Sequence, residues 1–285
     1  MSPPSSIFFH ASTILFGVAA MLLNIRLIAT YFSYNHSAKR HFSTLFLSLF
    51  LYLCYNISST VYAAECAIGL ISANWSKQFV FWSGCLTFSL NFVIVVCNCC
   101  ITVDRIVAMR KPVFYVVRYS RYCRTLSIVL MLICFVSIFF WYSKGITTAP
   151  ASTPSFAFVS KGTVIQAVGS AKNVVSLLSV GVTLVFIRET RLFLRKQLNH
   201  QIYINVKMAN QIVVIQLIAE AVFMIFPDMA VLLFSFFGIS LLTIVGPIVV
   251  PSCEAYTLAC AALLTVKLRK TQKSQRVSTI TPKSF

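Results

Sequence analysis

Acidic side chains are nearly absent: 285 residues contain six Asp and Glu, against 24 Lys and Arg. A surface that faces water is normally covered with charge of both signs, and a soluble domain carries about 25% charged residues. This chain has 11% charged and 58% hydrophobic residues. The shortage excludes an ordinary soluble domain and points to an integral membrane protein, with the lipid bilayer as its first partner. A basic soluble patch is missing as well. The positive charges lie in short clusters between apolar runs, as topology signals do, so the net charge of +18 does not argue for nucleic acid. Metal-ligand spacing is missing too. Cys97-Asn98-Cys99 is too tight for the usual zinc pairings, and His10, His36, His41 and His200 do not cluster with it. Most cysteines fall inside apolar runs, where a free thiol behaves as a small hydrophobe. No Gly-x-Ser-x-Gly, His-Glu-x-x-His or Gly-x-x-x-x-Gly-Lys motif occurs. The expectation is a non-enzyme with no metal and no cofactor. No Lys or Arg precedes Arg26, and the first apolar run is longer than a signal-peptide core, so it is expected to stay as a spanning helix. No internal repeat suggests the duplicated halves of a transporter.

What is present is a series of apolar runs. A spanning helix needs about 20 mostly apolar residues. The runs lie at about 7–32, 42–67, 79–103, 126–142, 163–187, 208–236 and 239–266. The last two divide one block of 59 residues, with the turn placed near Phe237-Gly238 because glycine tolerates turn geometry. The expected fold class is an all-α membrane protein, a seven-transmembrane helix bundle over 1–266, with a basic tail over 267–285. Orientation follows from Lys/Arg bias. With the N-terminus outside and the C-terminus inside, the inner segments hold 19 of the 24 basic residues and the outer segments hold three, Lys77, Lys144 and Lys161. Asn74-Trp75-Ser76 then lies outside, a candidate glycosylation site at Asn74, whereas Asn35 lies inside and Asn56 within a span. Both are expected to be unmodified.

Charges inside a span are costly and tend to face the bundle interior. Lys172 falls in the fifth span, Glu220 and Asp228 in the sixth and Glu254 in the seventh. Arg26 sits near a span end, where its long side chain can snorkel to headgroups. Lys172 and Asp228 stand on adjacent helices, and with Glu254 they are candidates for a ligand cavity. Two readings stay open for the pair: a ligand-facing ion pair, or one that fixes helix contacts. Pro227, Pro247 and Pro251 lie within spans, where a proline removes a backbone hydrogen bond and kinks the helix. Pro227 is a candidate hinge, as are Pro251 and Tyr256 acting together. Proline also serves helix contacts alone in membranes. The aromatic-rich stretches 135–142 and 232–237 read as interfacial belts, with an aromatic ligand cage as the alternative. Thr271, Ser274, Ser278, Thr279, Thr281 and Ser284 stand among basic residues in the tail. They could be phosphorylated, or the tail could simply lie on an anionic leaflet.

The stretch 101–112 closes the third run with Asp104-Arg105-Ile106, followed by Arg110, Lys111 and Pro112. Asp104-Arg105 with a proline seven residues after the arginine resembles the third-helix motif of rhodopsin-like G-protein-coupled receptors. Asn24 and the Pro251–Tyr256 pair resemble further landmarks of that family, and Phe226-Pro227 looks like its kinked sixth helix without the usual tryptophan. More narrowly, the chain resembles the nematode serpentine chemoreceptors of class BC, on Pro112-Val113-Phe114-Tyr115 followed by Arg118, Arg121 and Arg124. The resemblance implies a chemosensory receptor of the plasma membrane or sensory cilium. Its partners would be a small-molecule ligand from the environment and a heterotrimeric G protein. Asp104, Arg105, Arg110, Lys111 and Pro112 would form the coupling and switch region.

The departures are specific. The loop 143–162 has no cysteine for the family's usual disulfide, position 106 is Ile rather than Tyr, and the second span lacks the family's Asp. No acid stands near Lys207 to hold Arg105 at rest. Asp104, together with Glu189 below the fifth span, is expected to supply that lock. The rivals to a receptor are a transporter or channel using Lys172, Glu220, Asp228 and Glu254, and a structural membrane protein with no ligand.

Overall fold

The computed structural model describes residues 3–32, 43–72, 74–147, 153–194, 200–237 and 248–280. Seven helices in it are long and apolar enough to cross a membrane. They are α1 (Pro3–Phe32), α2 (Ser43–Ser72), α3 (Lys77–Arg110), α4 (Ser120–Ser143), α5 (Gly162–Leu194), α6 and α7 (Val249–Ile280). α6 is laid in two pieces, His200–Glu220 and Phe226–Phe236, joined by a π-helical turn at Ala221–Ile225. Among the described residues there is no β-strand, only an isolated bridge between Ile146 and Ser160. The protein is a multi-pass, all-helical integral membrane protein. The expectations on Asn35, Lys39, Arg40, Gly238, Pro247, Thr281 and Ser284 lie outside the described residues, as do those on the side chains of Lys207 and the rest of the tail.

α3 is the axis. In its apolar stretch 72% of residues are buried, against 17% in α4 and in α5. The exposed faces of α4 and α5 are apolar, with Leu126, Ile133, Leu177 and Leu184 each more than half exposed, as lipid-facing surfaces are. Two apolar cores flank α3. One joins it to α2, α4, α5 and the loop before α5, through Phe81, Val93, Ile138 and Phe186. The other joins it to α1, α2, α6 and α7, through Leu27, Tyr52, Ile94 and Cys260. Gly17 of α1 lets the second core close: a Cβ there would collide with the Thr60 hydroxyl and come within 3.4 Å of the Glu254 carboxyl.

The helices outrun the apolar runs. α2 continues to Ser72, α3 to Arg110 and α5 to Leu194, each at least five residues past the hydrophobic stretch that marks it in the sequence. Hydropathy reports where lipid ends, whereas a helix ends where its hydrogen-bond ladder ends. The basic stretch after Arg105 is accordingly helical rather than an open loop. α3 stops at Lys111, which has φ −135° and ψ 67°. The residue before a proline is pushed out of the helical region. Pro112 then opens the next helical segment at its first position, where its missing N–H costs nothing. Helix continues through a π-helical stretch, Tyr115–Tyr119, into α4.

Pro227 has a local account as well. Its ring would clash with the carbonyl four residues earlier, and the π-turn at Ala221–Ile225 immediately precedes it. The wider i→i+5 ladder absorbs the clash.

Candidate functional site

The corner at Lys111–Pro112 turns the chain back under the end of α3, and this brings Tyr115 beneath Arg105. The Tyr115 hydroxyl accepts a 2.7 Å hydrogen bond from the Arg105 guanidinium and lies 2.9 Å from both Asp104 carboxylate oxygens, to which it donates. Thr44 of α2 donates to Asp104 at 2.7 Å. Arg105 is also ion-paired to its neighbour Asp104, and its guanidinium carbon lies 5.4 Å from the Tyr115 ring centroid. All four residues are buried, and Arg105 is only 3% exposed. A buried charge pair is tolerable when its remaining hydrogen-bonding capacity is met, and Thr44 and Tyr115 meet it here. Glu189 accepts a 2.7 Å bond from Arg110, whose side chain is 58% exposed, while Asp104 and Tyr115 bond to Arg105. Lys111 is exposed at the corner and Pro112 half-buried.

Midway along α3, the Asn98 side-chain oxygen lies 3.0 Å from the hydroxyls of both Tyr52 (α2) and Tyr256 (α7), which are themselves 2.9 Å apart. Tyr256 thus ties α7 to α2 and α3 in the middle of the bundle. Pro251 does not join it there. Pro251 sits in the first described turn of α7 and so interrupts no ladder within the described helix, where Ser252 N–H bonds to the Ile248 carbonyl. Glu254 is fully buried and accepts a hydrogen bond from Ser59 of α2 beside Gly17 of α1; it is not among the residues lining the cleft of Lys172 and Asp228.

Lys172 and Asp228 do meet, at 2.8 Å, with both side chains little exposed. They stand in a cleft between α3, α5, α6 and α7 lined by Asn91, Phe223, Pro227 and Ser252 among others. The cleft has essentially no room for a water-sized molecule between its walls, whereas small-molecule sites usually enclose roughly 300–1,000 Å³.

The loop before α5 also enters the bundle. A short helical turn, Phe156–Val159, places the Phe156 ring 4.9 Å from Phe88 and 6.0 Å from Phe81, both stacked, and 5.3 Å from Tyr142, edge-on. The Phe156 N–H donates to the Tyr62 hydroxyl at 3.0 Å. Gly84 makes room, because a Cβ there would run into the ring. Tyr142 is buried by this contact, while its neighbour Trp141 is 54% exposed. The aromatic stretch 135–142 is therefore part belt and part interior. Asn74 is exposed in the short connection between α2 and α3, and Ser76 of the same tripeptide caps α3. Asn56 is buried, accepting from Thr257.

Sequence reasoning missed Tyr115, Thr44, Tyr52, Asn98 and Phe156. Phe156-Ala157-Phe158-Val159 is an apolar island in a polar loop, a signal that could have marked it. Tyr115 follows the proline by three residues, but its partner is fixed by a chain reversal that no periodicity reveals.

An all-helical bundle of seven membrane-length helices, with a buried Asp-Arg pair closing the central helix, defines a seven-transmembrane receptor. The chain belongs to the family of serpentine type 7TM GPCR chemoreceptors, Srbc, whose model matches residues 3–273. No curated protein matches it.

Proposed function

We propose that this chemoreceptor detects a small environmental molecule at the Phe156 end of α3 and activates a heterotrimeric G protein at the Arg105 end. Its N-terminus lies outside, its basic tail inside, and it works in the plasma membrane or a sensory cilium. Asn74 carries a glycan on the outer face. Asp104, Arg105, Arg110, Lys111 and Pro112 form the coupling region, Lys172 and Asp228 line the floor of the ligand cavity, and Pro227 is the hinge of α6. No catalytic step, metal or cofactor takes part.

The observation that carries this reading is the burial of Arg105 by Asp104, Thr44 and Tyr115. A cation so enclosed cannot meet a partner protein, which supports reading this arrangement as the resting state of a two-state bundle. A ligand that favours the other state must separate Tyr115 from Arg105, and a swing of the inner part of α6 about its π-turn gives the partner room. The charge path of a transporter has less support, since Lys172 and Asp228 neutralise each other and Glu254 lies against α1 and α2.

The test is ligand-stimulated nucleotide exchange on purified G protein, with the receptor in vesicles. Arg105→Ala should reduce exchange to the receptor-free rate while leaving surface expression intact. Full exchange in that variant would overturn the coupling role.

A further inference from the structure

We infer that the cage formed by Tyr62, Phe81, Phe88 and Tyr142 is a binding site for a flat aromatic ring bearing an N–H donor two carbons away, and that Phe156 is its tethered occupant. This rests on the receptor reading and names the ligand class for it. Three observations define the cage. Two ring faces and one ring edge surround the Phe156 ring at 4.9–6.0 Å, the geometry in which aromatic pairs attract. Gly84 leaves a ring-shaped recess in α3 that any side chain would fill. The Tyr62 hydroxyl, 2% exposed as part of its residue, takes the Phe156 backbone N–H at 3.0 Å.

From that N–H through Cα and Cβ to the ring, Phe156 traces the outline of an N-acylated arylethylamine. A free molecule of that outline satisfies the same three contacts. It must first lift the described part of the loop, which is joined to the helices by no disulfide but is anchored by the Phe156 ring, the fully buried Val159, the contact of Pro154 with α2 at Gly69, the Tyr62 bond and the bridge at Ile146–Ser160. Phe88 and Asn91 lie three residues apart on α3, about 4.5 Å along its axis, so the cage and the Lys172–Asp228 cleft draw on neighbouring positions of the same helix.

The probes are N-phenethylacetamide and phenethyl acetate, alike in shape, of which only the first has an N–H. Binding to the full-length chain in lipid nanodiscs is measured for the wild type, Phe156→Ala and Tyr62→Phe, together with backbone hydrogen exchange over residues 153–161. The wild type should bind the amide saturably, with faster exchange at Phe156. Phe156→Ala should bind it at least tenfold more tightly, since the competitor is gone. The amide should outbind the ester by about two- to tenfold, the worth of one net hydrogen bond, and Tyr62→Phe should erase that preference.

Equal affinity in wild type and Phe156→Ala would place the probe elsewhere and overturn the inference. So would binding to Phe156→Ala alone, which would make the cage a filled core and nothing more. If Phe156→Ala does not fold, the wild-type exchange measurement decides: unchanged protection at Phe156 under saturating amide overturns the proposal. Each of these readouts is independent of G-protein coupling, so a failed coupling assay and a failed cage are told apart.

Discussion

The two ends of α3 are closed by the same device made of opposite chemistry. At one end a residue beyond the helix, Tyr115, folds back and binds a buried ion pair through its hydroxyl. At the other, a residue from the loop before α5, Phe156, folds in and stacks on aromatic rings. The difference lies in how each closure can be undone. A hydrogen-bonded charge cluster has direction: moving one donor by an ångström or two breaks it and exposes a cation ready for a partner. An aromatic plug has little direction, and another ring of similar size can replace it. The proposed function assigns the switch to the first end and the ligand to the second. The tyrosine cluster on Asn98 lies between them and connects α2, α3 and α7.

The contrast can be broken most strongly at the plug. Phe156→Ala removes a buried ring and should cost about 3–5 kcal/mol, seen as a lower melting temperature of the receptor in nanodiscs. A shift within error would mean the loop is not anchored there. Next comes the cleft of Lys172 and Asp228. Lys172→Met leaves Asp228 without its partner and should cost about 3 kcal/mol, as breaking a buried pair does. The double change Lys172→Met with Asp228→Leu should recover most of that loss in the same melting assay, though not ligand response. Recovery of both would make the pair purely structural. The smallest effect belongs to Glu189→Gln. Its partner Arg110 is mostly exposed, and water screens such pairs. Ligand-free exchange should change less than about twofold, and a large rise would return Glu189 to the lock.

The class of fold was legible before any coordinates, because the scarcity of acids and the length of the apolar runs are physical requirements of a bilayer. The Asp104-Arg105 pair and the meeting of Lys172 with Asp228 were legible for a related reason: charge in a span is expensive and must find a partner. What the sequence concealed depends on where the chain turns. Helix ends ran past the apolar runs because a helix can continue among interfacial basic residues. Glu254 faces α1 rather than the cleft because Gly17 admits it there, and helical phase across three helices is not encoded in spacing. Tyr115 and Phe156 both reach their sites from outside the spanning segments, where hydropathy carries no orientation.

The role of Tyr115 is tested most directly by the ligand-free nucleotide exchange of Tyr115→Phe. The substitution keeps the ring over Arg105 and removes only the hydroxyl that binds both Arg105 and Asp104. Loss of a hydrogen bond to charged groups is worth about 1.5–3 kcal/mol, so basal exchange should rise roughly tenfold or more until the active state saturates, and adding Arg105→Ala should abolish the rise. Basal exchange at or below the wild-type rate in a well-expressed Tyr115→Phe receptor would contradict the resting lock placed at this end of α3.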